Sequence, residues 1–288
     1  MKVTRKLNKK RKTKKVKGGM KLLTSGTHGH IYEKEGHQVV KQFLNKDYHH
    51  PSLCKRVKGS IETLCDEVDY EFQVHQLIQD LFESQTFLVK VPKASSFRLI
   101  ELDKKPMREY AMDRIYPLDD YLLYVDMTFP EGIREAQNSI SRTMGYMNIA
   151  EMLQMTPEEL ARAVGEMFSL LHFKLNVDGY DCELLVGKNG KDDMGIYWID
   201  FDKVSCFTYE LGQTLIRKTS ESDYEPRTIT SYTRLARFLF GALISMSLLP
   251  TDPSLKEPFL IGYTKHIDAT VPEELVDELK SIIMAYPD

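Results

Sequence analysis

Cysteine is scarce in this chain, and what there is does not pair in sequence. Cys54, Cys65, Cys182 and Cys206 are the only four, and none belongs to a Cys-x-x-Cys motif. That excludes the usual structural zinc arrangements and a disulfide framework. Tryptophan occurs once, at Trp198. Long apolar runs are missing too: the longest, Phe238 to Leu249, is far below the roughly 20 residues that span a bilayer. The first residues hold no apolar core of the signal-peptide kind, so secretion is not expected. Acid is absent from residues 1–19. The expected setting is a reducing intracellular compartment, cytoplasm or nucleus, with no membrane partner.

Charge is plentiful but unevenly placed. The 288 residues are 42% hydrophobic and 28% charged, with a formal net charge of −3. Residues 1–19 hold ten Lys or Arg, which leaves 29 basic against 42 acidic residues in the body, about −13. A basic arm on an acidic body reads as a tail plus a domain, not as a nucleic-acid-binding domain. Val3, Leu7 and Val16 are too few to pack, so 1–19 is expected to be a disordered basic tail. Its readings are a solubilising or localising arm, nuclear import, or contact with a nucleic acid or other polyanion. Gly18-Gly19 reads as a hinge or as a processing site.

From Met20 the texture is globular. Lys21 to Ser25, His30 to Lys34 and Gln38 to Phe43 are predicted strands, followed by a helix within Asp66 to Phe82. Phe87 to Val91, Phe97 to Leu102 and Glu109 to Ile115 are further strands. Thr156-Pro157-Glu158-Glu159 is a capping box opening a helix with Leu160, Val164, Met167, Phe168 and Leu171 on one face. Leu184 to Val186 and Ile196 to Ile199 flank Lys188-Asn189-Gly190 as a hairpin. Ser231 to Leu249 and a segment opened by Val271-Pro272-Glu273 are the later helices.

Four features carry chemistry. Ser25-Gly26-Thr27-His28-Gly29-His30-Ile31 lies between two predicted strands, and its glycines let backbone N–H groups close over phosphates. Val39-Val40-Lys41 ends an apolar stretch on a cation. Glu71, or Glu67 one turn earlier, puts a carboxylate on the next helix where it can pair with Lys41. Asn176-Val177-Asp178-Gly179-Tyr180-Asp181-Cys182-Glu183 runs into Leu184-Leu185-Val186, and Ile199-Asp200-Phe201-Asp202 follows the hairpin. Phosphoryl transfer needs one carboxylate near the incoming hydroxyl and others as Mg²⁺ ligands.

This order resembles the protein-kinase superfamily, and more its atypical and small-molecule branches such as aminoglycoside and choline kinases. It is most similar to a fungal kinase-like domain often labelled zinc finger protein, through Asn176 to Asp181, Asp200-Phe201-Asp202 and the late Gly262-Tyr263. The basic start is similar to that of some large DNA-virus proteins, which adds the viral factory or virion to the expected settings. The resemblance implies an α+β fold of two lobes: a small β-rich N-lobe over 20–116 and a larger helical C-lobe over 117–288. It implies ATP and Mg²⁺ as cofactors. Gly26 and Gly29 would cover the phosphates, and Lys41 would hold them with Glu71 as partner. Ile31, Val39, Met112, Asp113 and Ile115 would line the nucleotide, with Met112 to Ile115 as the hinge for adenine. Asp178 would be the catalytic base, and Glu183 and Asp200 the metal ligands.

Departures from the family pattern mark the chain as well. Thr24 stands for the first loop glycine, Asn176-Val177-Asp178 for His-Arg-Asp, and Glu183 for the metal-binding Asn. No Ala-Pro-Glu follows Phe201. The expectation is therefore a phosphotransferase acting on an unknown protein or small-molecule acceptor. Its alternative is a pseudokinase serving as a nucleotide-binding or interaction scaffold.

Overall fold

The computed structural model describes residues 20–25, 29–43, 70–83, 88–102, 105–118, 122–135, 141–190, 193–201, 203–218 and 224–287. The expected basic tail, Gly26, Glu67, Asp202, Cys54 and Cys65 lie outside these. In chain order the elements begin with β1 (Lys21–Ser25), β2 (Gly29–Lys34), β3 (Gln38–Phe43) and α1 (Tyr70–Glu83). Next come β4 (Val89–Lys90), β5 (Ala94–Leu102), β6 (Lys105–Asp113), β7 (Ile115–Tyr116), β8 (Leu122–Asp126), β9 (Ile133–Glu135) and β10 (Ser141–Gly145). They are followed by α2 (Tyr146–Met152), α3 (Pro157–Leu170), β11 (Glu183–Asn189), β12 (Asp193–Ile199), β13 (Thr214–Lys218) and β14 (Tyr224–Thr228). Three helices close the chain: α4 (Tyr232–Ser245), α5 (Pro253–Tyr263) and α6 (Glu273–Ala285). The fold is mixed α+β, β-rich in its N-terminal region and helical in its C-terminal region.

The N-terminal sheet has the order β1-β2-β3-β6-β5, with every neighbour antiparallel. Its third strand is buried at Val39, Val40, Lys41 and Gln42, so both faces of β3 are covered, as a central strand requires. α1 follows β3 in the chain and packs against β5. Its Val74, His75 and Ile78 are buried.

A second sheet runs β4-β12-β11-β8-β10-β9, with β7 paired to β11. Two of its strands come from the N-terminal part of the chain. β4 pairs in parallel with β12 (Val89 with Ile196), and β7 pairs antiparallel with β11 (Ile115 with Asn189). Of the expected strand over 87–91, whose Phe87 lies outside the described residues, the described part forms a strand at Val89–Lys90, and it joins the second sheet instead of the first.

The capping box at the start of α3 is made in full: Glu159 N donates to Thr156 Oγ1, and Thr156 N donates to the Glu159 carboxylate. α3 and α5 then come into backbone contact. A Cβ added to Gly165 would lie 2.1 Å from the Phe259 carbonyl oxygen, and one on Gly262 would lie 2.0 Å from that of Arg162. Only glycine at both positions permits so close an approach. One continuous apolar core runs from Val74 and Ile78 of α1 through Trp198 and Phe168 to Leu275 and Ile283 of α6.

Candidate functional site

Lys41 sits on β3 opposite Ile31 of β2 and Tyr110 of β6. Burying an ammonium here is costly unless opposite charge meets it, and two carboxylates do. Lys41 Nζ donates to Glu71 Oε1 at 2.6 Å and to Asp200 Oδ1 at 2.9 Å. The Lys41 and Glu71 side chains are 9% and 6% exposed. Tyr110 OH donates to the same Glu71 oxygen at 2.9 Å. Burial pushes the Glu71 carboxyl up, and the Lys41 charge pulls it back down. Three residues 30 and 159 positions apart in sequence are thus joined through one ammonium group.

Asp200 directly follows β12 with φ 65, a left-handed conformation uncommon among non-glycine residues. The anchor is Phe201, which is fully buried and packs edge-on against His75 at 5.0 Å and Trp198 at 5.1 Å. His75 Nε2 donates to the Pro92 carbonyl at 2.6 Å. The α1 helix therefore reaches the Asp200 segment twice, through Glu71 and Lys41 and through His75 and Phe201.

Glu183 opens β11 opposite Ile199, the residue before Asp200. It keeps solvent contact, yet its pKa is raised to about 7, first by partial loss of hydration and then by the charges of Asp200 and Asp181. The Tyr124 hydroxyl, brought in by β8, donates to it. Asp181 also has a left-handed backbone, φ 61. Its Oδ2 accepts from Lys203 Nζ, and its side chain is 42% exposed.

Asp178 is placed differently. It is 0% exposed, and its Oδ1 accepts backbone N–H bonds from Ser205 at 2.8 Å and Tyr180 at 3.1 Å. Its own carbonyl accepts from His172 Nε2 at 3.1 Å, and His172 Nδ1 is hydrogen-bonded to the Tyr263 hydroxyl at 2.6 Å. Asp178 ties the turn to the segment after Phe201, and it does not open onto the Asp200 carboxylate from solvent.

The remaining expected site residues fall as follows. Gly29 starts β2, Ile31 is half-buried on β2, and Val39 is buried on β3 opposite Met112 of β6. Asp113 N donates to Lys93 O and Arg114 N to His37 O, both at 2.9 Å. Ile115 pairs with Asn189 in β7. The N–H groups of Asp113 and Arg114 are thus engaged within the protein. Tyr110, Tyr124, His75 and Lys203 escaped the sequence reading. Only Lys203, three residues after Asp200, carried a sequence signal, a cation beside a string of acids.

The donor set fits a hard divalent cation. Lys41 and Lys203 face Glu71, Asp181, Glu183 and Asp200, an excess of two negative charges when all are ionised. Among the described residues no three His, Cys, Asp or Glu side chains converge enough to hold a metal unaided. Glu183 and Asp200 would offer two oxygen ligands, and Mg²⁺ commonly takes one or two carboxylates together with substrate phosphates and water. No protein-family model matches the sequence, and no curated protein matches it either. No helix among the described residues is long and apolar enough to cross a membrane.

Proposed function

We propose that this chain is an ATP- and Mg²⁺-dependent phosphotransferase of the two-lobed, protein-kinase-like type. The observation that carries the reading is Lys41, buried and bridging Glu71 of the following helix and Asp200 of the strand end. An apolar pairing of the same elements would need none of these charges, and burying them is costly unless they have work to do. The left-handed Asp200 adds support, because strained backbone gathers where function demands a fixed side chain. The order β1-β2-β3-β6-β5 with a helix after β3, and a hairpin leading into Asp200, agree with the architecture the resemblance implies.

In this reading Lys41 binds the α- and β-phosphates and Glu71 fixes its position. Ile31 and Val39 supply apolar cover for the base. Glu183 and Asp200 would hold Mg²⁺, which neutralises charge between the phosphates. The glycine loop around Gly26 and Gly29 completes the phosphate cover. The acceptor is a hydroxyl-bearing protein or small molecule.

The test is the thermal midpoint of the full chain with ATP, with and without Mg²⁺, in wild type and Asp200→Ala. Ligand at about 100 times its Kd stabilises by roughly 2.7 kcal/mol, a rise of about 5–10 °C for a domain of this size. A Mg²⁺-dependent rise lost in Asp200→Ala is expected, and no rise with any nucleotide overturns the reading.

A second reading is a nucleotide-binding scaffold that transfers nothing. The burial of Asp178 favours it, and its signature is a rise with ATP that ignores Mg²⁺. Under either reading, residues 1–19 are a polyanion-binding or nuclear-targeting arm. Binding to nucleic acid through them would fall steeply with salt and vanish when they are deleted.

A further inference from the structure

Resting on the phosphotransferase reading, we infer that the Lys41–Asp200 ion pair is a lock that resists nucleotide alone and metal ion alone and yields to the two together. In that reading Lys41 serves the phosphates and Asp200 serves Mg²⁺, yet here the two side chains hold each other at 2.9 Å. Neither ligand can take its own residue without parting the pair.

The surrounding charges decide which exchanges balance. The Lys41 side chain is 9% exposed and is held from its other side by Glu71 at 2.6 Å. One cation against two carboxylates leaves this cluster with one excess negative charge when all three are ionised. ATP without metal adds further negative charge, and to reach Lys41 it must leave the Asp200 carboxylate facing its phosphates. Like charges at that range repel strongly in surroundings drier than bulk water. Mg²⁺ alone can approach Asp200, whose side chain is 37% exposed, but it then lies beside the Lys41 ammonium with no anion between them. Arriving together, the ligands replace one ion pair by two: Lys41 with a phosphate oxygen, and Asp200 with the cation that also bridges the phosphates.

The backbone suits an exchange made by the Asp200 side chain alone. Phe201 on one side of it is fully buried against His75 and Trp198. Ile199 on the other is paired with Glu183 in the β11–β12 ladder. Both neighbours are thus pinned, while the carboxylate between them keeps contact with solvent. Coupling of this kind is reciprocal, and couplings between sites typically change affinity about 5–150-fold. Removing one half of the lock should therefore raise affinity for the ligand of the other half, although a binding residue is lost.

The experiment compares full-length wild type, Asp200→Asn, Glu183→Gln and the double variant Lys41→Met/Glu71→Gln at pH 8. Calorimetric titration measures ATP binding in EDTA, and electron paramagnetic resonance of Mn²⁺ measures metal binding without nucleotide. Asp200→Asn is expected to bind metal-free ATP at least about 5-fold more tightly than wild type. Glu183→Gln removes a neighbouring carboxylate but leaves the pair in place, so its gain is expected to be smaller. The double variant frees Asp200 without leaving Glu71 as a lone buried charge, and it is expected to bind Mn²⁺ at least about 5-fold more tightly than wild type. Asp200→Asn that binds metal-free ATP no better than wild type, or no better than Glu183→Gln, overturns the lock and leaves the phosphotransferase reading standing. So does a folded double variant that binds Mn²⁺ no better than wild type, and the Asp200→Asn arm decides without it if the double variant does not fold. Wild type that shows no melting shift with ATP and Mg²⁺ together overturns both readings.

Discussion

Replacing Lys41 by methionine removes the charge but keeps an unbranched chain of similar length. Glu71 is then left 6% exposed, with Tyr110 at 2.9 Å as its one remaining donor among the described residues. Breaking a buried pair by deleting one partner costs about 3–5 kcal/mol. At about 2–4 °C per kcal/mol for a domain near this size, the melting point should fall by at least ~6 °C at pH 8. The loss should depend on pH. Glu71 already has a raised pKa in the folded state because of its burial, and Lys41 works against that rise. Without Lys41 the folded protein holds the Glu71 proton more tightly still, so the stability it contributes is present at low pH and lost as pH rises. The Lys41→Met penalty is accordingly smaller at pH 5.5 than at pH 8. Adding Glu71→Gln should recover most of it, because the amide can still accept from Tyr110. Melting curves of the two single variants and the double variant at both pH values measure this. A penalty below about 1 kcal/mol at pH 8, or a double variant no better than Lys41→Met, would refute the claim that the pair is buried and mutually dependent.

His75 gives an acid-side prediction. Burial, the largest influence, lowers its pKa to about 4 from 6.5, so the folded state keeps it neutral while the unfolded chain protonates. The stability it contributes is present above pH 6.5 and lost as pH falls toward 4. Up to about 3 kcal/mol is at stake, and a His75→Phe variant should melt with a flatter pH dependence over that range. A second prediction concerns the helix contact: Gly165→Ala should destabilise by at least about 1–3 kcal/mol as an overpacked site, because its Cβ meets backbone at 2.1 Å. Denaturant midpoints would show it, and a neutral effect would mean that α3 and α5 separate freely.

What could be read from the sequence follows the reach of local rules. The α3 start was legible because Thr156, Pro157 and Glu159 act within one turn. The β11–β12 hairpin and the three opening strands were legible from apolar runs and turn residues. The stretch from β8 through α2 was not, since its strands are short and β8 pairs with a partner far along the chain: Tyr124 opposes Leu185. α5 was missed because Pro258 interrupts its pattern, although its contact with α3 tolerates the break. At the site, the residue types at Lys41, Glu71 and Asp200 pointed to the chemistry, but only the fold brings them within hydrogen-bonding distance. Asp178 and Asp181 look alike in sequence. Burial separates them, and burial is a property of the whole structure.

The pairing of β4 with β12 and of β7 with β11 has a mechanical consequence. The chain leaves the N-terminal sheet for α1 and returns to it through β4, then leaves again through β7, and each of these two passages is hydrogen-bonded into the second sheet. Two tethers on one body remove the freedom that a single connecting strand would leave. Any turning of the first sheet against the second is therefore confined to the short connections beside these pinned strands, residues 91–93 after β4 and residue 114 before β7.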